Sequence, residues 1–293
     1  MKIAIEALGI HYFGGGRSAT LNLLEALFAL DTKNEYTVFL SQPEPTLETA
    51  AGNVTQVVAP FQNRFALRLW AQARLPFLTR GYDLVHFIKN LTVPFIPTRT
   101  AVTMYDMATV LHPDLYPTFD VWYWRYVQPT LLRNTDKVIA ISHDAANDVA
   151  RFYGIPRAEV AVIYPSYATH FGPVAEMEVE RVRQQYGLPE QYLLHVGRLD
   201  RRKNLPALVR AFADFLGNPA WATMADGRPF TGKLVFVGEE YRKSRDETLL
   251  VLIAELGLQD RICFTGPIPD QDIAALYAGA LVAISVSRHE GFG

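Results

Sequence analysis

Short apolar runs alternate with segments whose apolar residues recur every three or four positions, and the alternation continues along the whole 293-residue chain. The short runs predict strands at Lys2–Ala7, Tyr36–Leu40, Val54–Ala59, Leu84–Phe87, Thr100–Met104, Lys137–Ile141 and Val160–Ile163. Helical periodicity is clearest at Ser18–Ala29, Phe119–Arg133 and Asp144–Phe152, the last placed for capping by Ser142 or Asp144. Tyr164–Pro173 holds two prolines and a glycine without sustained period, and marks a boundary. A second series follows: helix Glu176–Tyr186, strand Tyr192–Val196, helix Leu205–Leu216, strand Leu234–Val237, helix Glu247–Leu256, strand Arg261–Phe264, helix Asp272–Ala278 and strand Ala280–Ile284. Strands alternating with helices predict α/β architecture with parallel sheets, in two doubly wound domains at 1–170 and 171–293. The second has only four strands, so its sheet reads as incomplete.

Hydrophobic residues make up 49% of the chain, enough for two substantial cores. The formal charge of −2 argues against nucleic acid as a partner. The single cysteine, Cys263, lies in an apolar strand pattern and reads as a small buried hydrophobe; with no internal disulfide, a reducing compartment is expected. No cluster has metal-ligand spacing, so no metal is expected. The opening Met1–Glu6 is interrupted too soon for a signal peptide, and no apolar run approaches membrane-spanning length; a cytoplasmic location follows as the expectation.

Chemistry concentrates in a few loops. After Tyr192–Val196 comes Gly197-Arg198-Leu199-Asp200-Arg201-Arg202-Lys203-Asn204, then a helical pattern. A glycine and four cations between a strand and a helix N-terminus suit an oxyanion, because free N–H groups and the helix dipole both favour negative charge there. Arginine adds a fork that fits phosphate and lysine a point charge. The plain alternative is a solvated basic turn with a structural ion pair to Asp200. Ser285–Gly293 follows the last strand and carries Glu290 beside Gly291, Phe292 and Gly293, where a carboxylate can reach sugar hydroxyls and glycines let amides approach a ligand. Gly14, Gly15 and Gly16 follow the first strand, but the spacing is not that of a dinucleotide fingerprint and Leu40–Pro43 supplies no acid, so an NAD domain is disfavoured. Asn63–Arg80 carries Arg64, Arg68, Arg74 and Arg80, interleaved with apolar residues and without an acid. Such a helix either lies peripherally on an anionic membrane or packs on the core with its arginines reaching out to water. His86, His112 and His143 singly read as surface or cap histidines.

Gly197-Arg198…Lys203-Asn204 followed by Glu290-Gly291-Phe292-Gly293 resembles the retaining GT-B glycosyltransferases of family 4. Gly14–Arg17 with Leu21–Leu27, Val138–Ser142 with Tyr153–Pro156, and Phe264–Asp270 fit the same family in order and spacing. The resemblance implies two Rossmann-like domains, an acceptor-side one first and a nucleotide-sugar-binding one second. It implies Arg198 and Lys203 on the donor diphosphate, Glu290 on the donor sugar, and Asp106 near the transferred sugar. Amides around Gly15, Gly16, Gly197, Gly266, Phe292 and Gly293 would serve phosphate or sugar. The family usually has His-Asp where this chain has Tyr105-Asp106, and Pro-Asn-Gly where it has Tyr164-Pro165-Ser166. It also has a second Glu some eight residues after the first, on a helix, so a truncated second domain is expected.

The expectation is transfer of a hexose from a nucleotide diphosphate sugar to a sugar or lipid-linked sugar acceptor, with retention and without a metal or other cofactor. Lipid-linked acceptors would place the chain peripherally at the inner membrane face. Two alternatives remain: a non-catalytic remnant that binds nucleotide sugars, and a nucleotide-sugar epimerase on the same scaffold.

Overall fold

In the computed structural model, which describes residues 1–11, 15–48, 52–168, 171–239 and 248–292, the apolar runs are parallel strands. Contacts divide the chain into two units, residues 1–168 with 290–293, and residues 169–289. Residues 290–293 therefore group with the first unit, whereas the sequence boundary placed them with the second.

The first unit contains β1 (Lys2–Glu6), β2 (Glu35–Leu40), β3 (Val54–Val58), β4 (Leu84–Phe87), β5 (Arg99–Met104), β6 (Lys137–Ala140) and β7 (Val160–Val162). They form one parallel sheet in the order β3-β2-β1-β4-β5-β6-β7. Its helices are α1 (Gly15–Leu30), α2 (Arg64–Leu78), α3 (Ala108–Leu111), α4 (Thr118–Trp122), α5 (Gln128–Arg133) and α6 (His143–Tyr153). The pleat decides which side each residue serves. Ile5 and Val38 face one way, onto Leu24 and Phe28 of α1. Ala4 and Phe39 face the other, onto Leu67, Ala71 and Leu75 of α2.

Phe119–Arg133, expected as one helix, is broken by a π turn at Tyr123–Val127 between α4 and α5. Pro129 explains the break. It has no N–H, and its ring crowds the carbonyl one turn back, so the preceding turn widens and the Gln128 amide donates to Tyr123. α6 follows expectation: Ser142 Oγ accepts from the Ala145 amide at 3.0 Å, and Gly154 closes the helix in the left-handed conformation (φ 66°).

The second unit has β8 (Tyr192–Val196), β9 (Lys233–Val237), β10 (Ile262–Gly266) and the short β11 (Val282–Ala283), parallel in the order β10-β9-β8-β11. α7 (Glu176–Gln185), α8 (Leu205–Gly217), α9 (Thr248–Glu255) and α10 (Asp270–Gly279) cover it. Leu234 and Phe236 pack toward α8 and α9, while Val235 and Val237 pack toward α7 and α10. Ala280–Ile284 yields only a two-residue strand: it pairs on one side alone, with β8, and Leu281 and Val282 stay exposed. Cys263 is half-buried in β10, not fully buried as expected, and that burial pushes its thiol up. Among the described residues no helix is long and apolar enough to cross a membrane.

Candidate functional site

Chain order reverses direction once in each sheet. β1, β2 and β3 step to one side and β4 lies on the other side of β1; β8, β9 and β10 step to one side and β11 lies on the other side of β8. In doubly wound sheets the carboxyl ends of strands flanking such a reversal diverge and leave room for a ligand.

In the second unit the loop leaving β8 at its reversal is Gly197–Asn204. The Gly197 amide donates to Val237 at 2.9 Å, holding the loop to the end of β9. Asp200 turns it back: its Oδ1 accepts from the amides of Arg202 (3.1 Å) and Lys203 (3.3 Å), capping a single 3-10 turn at Arg201–Lys203. Asn204 then takes φ 56°, left-handed, and Leu205-Pro206 starts α8. The Lys203 side chain folds over the loop it follows. A Cβ placed on Gly197 would stand 3.4 Å from its Cε and 3.7 Å from its Nζ. Arg202 is engaged with the loop after β11: its Nη1 donates to the His289 carbonyl at 3.2 Å, and its own carbonyl accepts from Arg288. His195, buried, has Nδ1 2.9 Å from the Ile284 carbonyl and fixes the same two loops from beneath. Arg198 is half-buried and Arg201 is exposed on the same loop.

Glycines line the carboxyl edge of this sheet. A Cβ on Gly238, after β9, would collide with the Gly197 carbonyl, and the Gly238 amide donates to Gly266 at 3.0 Å. Gly197, Gly238 and Gly266 thus lie side by side at the ends of β8, β9 and β10. Gly238 was not among the residues expected from sequence. Its signal is the repeated Val-Gly at a strand end, Val196-Gly197 and Val237-Gly238.

In the first unit Gly15 and Gly16 open α1 beside the reversal; Gly14 lies outside the described residues. Space at Gly15 is open, while a Cβ on Gly16 would stand 2.9 Å from Lys89 Cε and 3.0 Å from its Nζ. Lys89 follows β4, and nothing in its periodicity marked it. Glu6 ends β1, nearly inaccessible, with Oε1 accepting from the Leu8 amide at 3.0 Å. Burial pushes its carboxyl up to about 7, opposed by that amide and by the charge of Lys89.

Tyr105, in place of the expected histidine, is hydrogen-bonded to Thr20 of α1 (2.9 Å between hydroxyls), and Thr20 also donates to the Gly16 carbonyl at 2.7 Å. The Tyr105 amide donates to Asn90 Oδ1 at 2.6 Å. Burial raises the phenol, so Tyr105 is a neutral donor and acceptor, not an imidazole base. Asp106 Oδ1 accepts from Ala108 at 3.1 Å and holds the start of α3.

The first unit also gathers residues 290–292. A Cβ on Gly291 would collide with the Tyr105 carbonyl and stand 3.0 Å from Asp106 Cβ. Ser142 Oγ donates to the Gly291 carbonyl at 2.5 Å. Phe292 lies against Tyr164, ring centroids 6.0 Å apart. Half-buried Glu290 therefore adjoins Tyr105-Asp106 through Gly291, although 184 positions separate Glu290 from Asp106 in the chain. Gly293 lies outside the described residues.

The three histidines divide. His86 is not a surface or cap group: its Nε2 lies 2.8 Å from Thr103 Oγ1 across β4 and β5, and burial lowers it to about 4, so it is neutral. His112 joins α3 to the next turn, and His143 opens α6 with Nδ1 2.7 Å from Arg157. Among the described residues no group of three His, Cys, Asp or Glu side chains is placed to hold a metal ion.

A family model described as Glycosyltransferase Family 4 matches residues 13–171, and one described as Glycosyl transferases group 1 matches residues 178–293. Mannosylfructose-phosphate synthase of Agrobacterium fabrum is 28% identical over 168 residues, 56% of this chain and 35% of that protein. O-antigen chain mannosyltransferase B of Escherichia coli is 25% identical over 233 residues, 78% of this chain and 58% of that protein. The chain thus matches less than two thirds of the length of either relative. HepE of Anabaena, solved in complex with UDP and glucose, superposes with a TM-score of 0.71 at 19% identity, over 100% of this chain and 76% of that one. At that identity the likeness is one of fold, and the fold is of GT-B type with a smaller second unit.

Proposed function

The chain belongs to the family 4 glycosyltransferases, and from that premise we propose that it moves a hexose from a nucleoside diphosphate sugar to an acceptor hydroxyl, on a sugar or a lipid-linked sugar, with retention of configuration. One observation carries the reading. The cationic loop Gly197–Lys203 leaves the second sheet at its reversal of strand order, with the Lys203 side chain drawn over a glycine that leaves the backbone open to a ligand.

On this reading Arg198 and Lys203 take the diphosphate, helped by amides around Gly197 and Gly266. The acceptor oxygen forms a bond to the anomeric carbon while the bond from that carbon to the diphosphate oxygen breaks. The electron pair leaves with the diphosphate, and a phosphate oxygen collects the acceptor proton on the same face of the sugar. Negative charge grows on the departing oxygens, and two cations already in place stabilise it without reorganisation. Their charge serves where a divalent metal otherwise would. Glu290 and Asp106 are assigned to sugar hydroxyls, and the Gly15 and Gly16 amides to phosphate or acceptor. A hexose donor accords with relatives named for mannosyl transfer and with a fold neighbour holding UDP and glucose.

The test is turnover by the full-length protein across nucleoside diphosphate sugars and sugar acceptors, read as product mass, released nucleoside diphosphate and anomeric configuration. A glycosylated product with the donor's configuration is expected. Inverted product overturns retention, binding without released diphosphate indicates a non-catalytic module, and free epimer without acceptor indicates an epimerase.

A further inference from the structure

We propose that α2, together with the aromatic turn it is tied to, seats the first unit on an anionic lipid bilayer. This proposal stands apart from the donor reading and does not require a lipid-linked acceptor.

Asn63 Oδ1 caps α2 by accepting from the amides of Phe65 and Ala66, so the helix is fixed from its first turn. Leu67, Ala71 and Leu75 fill the core. Phe65, Leu69 and Phe77, spaced by multiples of four, share another face and are 63%, 56% and 60% exposed. The helix is therefore apolar on two faces, and the core covers only one of them. A row of large apolar side chains in water marks a surface that something else covers.

The charges identify the occupant. Residues 63–80 contain four arginines and no acid. Arg74 and Arg80 are exposed, and the Arg80 guanidinium lies 5.0 Å from the centre of the Phe77 ring, at the edge of the apolar row. Arg68 is used inward instead. Its guanidinium lies 4.3 Å from the centre of the Tyr123 ring, and one nitrogen is 3.8 Å from Asp120, the only acid in the neighbouring turn. That turn presents Phe119, Trp122 and Tyr126, all more than half exposed, with Arg125 exposed among them; Phe119 and Trp122 stack at 6.1 Å. The loop held to α2 by Gln72, whose amide donates to the Thr92 carbonyl at 3.2 Å, carries Phe95, 90% exposed with φ 61°. Apolar and aromatic side chains edged by arginines match a bilayer interface, where rings enter the headgroup layer and guanidinium groups meet lipid phosphates. A second copy of this chain fits poorly, because two-fold pairing would set the same arginines against each other.

Co-sedimentation of the full-length protein with vesicles tests this directly. The protein should pellet with phosphatidylglycerol–phosphatidylcholine vesicles, less with phosphatidylcholine alone, and less as salt rises. Phe65→Ser/Leu69→Ser/Phe77→Ser should weaken partitioning at least about 30-fold with no loss of thermal stability. Arg74→Gln/Arg80→Gln should weaken it about fivefold per arginine, on the anionic vesicles only. This second variant decides if the first fails to fold. The proposal is overturned if the parent ignores anionic vesicles, if both variants pellet like the parent, or if the first variant instead dissociates a lipid-free dimer in sedimentation velocity.

Discussion

The ammonium end of Lys203 lies against Gly197, six residues earlier, with Nζ 3.7 Å from where a Cβ on that glycine would stand. Asp200 makes the fold-back by holding the Arg202 and Lys203 amides, and Arg198 extends from the same loop. If this loop grips a diphosphate, Lys203→Ala and Arg198→Ala should each weaken nucleoside diphosphate binding by about 1.5–3 kcal/mol, the range for charge-assisted bonds. Calorimetry reads the change. Undiminished affinity in both variants would remove the loop from the site.

Gly238→Ala probes the glycine row. Its new methyl would collide with the Gly197 carbonyl, and φ at this position is 143°, which L side chains rarely adopt. Neither β8 nor β9 can shift without disturbing Leu194 and Phe236 in the cores. A loss of about 1–3 kcal/mol is expected in the unfolding of the second unit, together with weaker diphosphate binding because Gly197 moves. Wild-type melting with wild-type affinity would show the row to be incidental.

Strand positions were legible because a buried parallel strand must be apolar along its run, and β4 and β8 match the expected bounds residue for residue. Gly197-Arg198…Lys203 was legible because its members are close in sequence. Long-range features were not. Gly291 meets Tyr105 and Asp106 only after the sheet has formed, and Lys89 meets Gly16 across a strand reversal. The π turn was missed because periodicity counts apolar positions and does not register the amide that Pro129 lacks. The outer face of α2 was visible only as an ambiguity, since Phe65, Leu69 and Phe77 suit a core helix equally well until their exposure is known.

Glu6 and His86 make an opposed pair for pH. The Glu6 carboxyl rises from 4.5 to about 7, so the native chain holds a proton that the unfolded chain releases. Its contribution is present below 4.5 and lost as pH rises through 7. His86 falls from 6.5 to about 4, so its contribution is present above 6.5 and lost as pH falls through 4. Between about 4.5 and 6.5 the two slopes oppose, each approaching about 1.4 kcal/mol per pH unit for one proton. Glu6→Gln removes one of them. Urea unfolding of this variant should show stability rising with pH across that window, where the parent is nearly flat. A flat variant would mean that Glu6 is ionised in the folded chain.

Gly291→Ala separates a positioning role from a packing role. The added methyl cannot coexist with the Tyr105 carbonyl, so either residues 290–292 move off Tyr105-Asp106 or that loop yields, at a cost of about 1–3 kcal/mol. Ser142→Ala releases the same segment more gently. It removes the 2.5 Å bond to the Gly291 carbonyl, but also the cap on α6, which alone is worth about 1 kcal/mol. If Glu290 works from its place beside Asp106, Gly291→Ala should lower turnover at least about tenfold, as expected for a catalytic group displaced by about 1 Å. Ser142→Ala should lose stability first and turnover less. A Gly291→Ala enzyme that melts lower yet turns over normally would make the contact purely structural and withdraw Glu290 from the reaction.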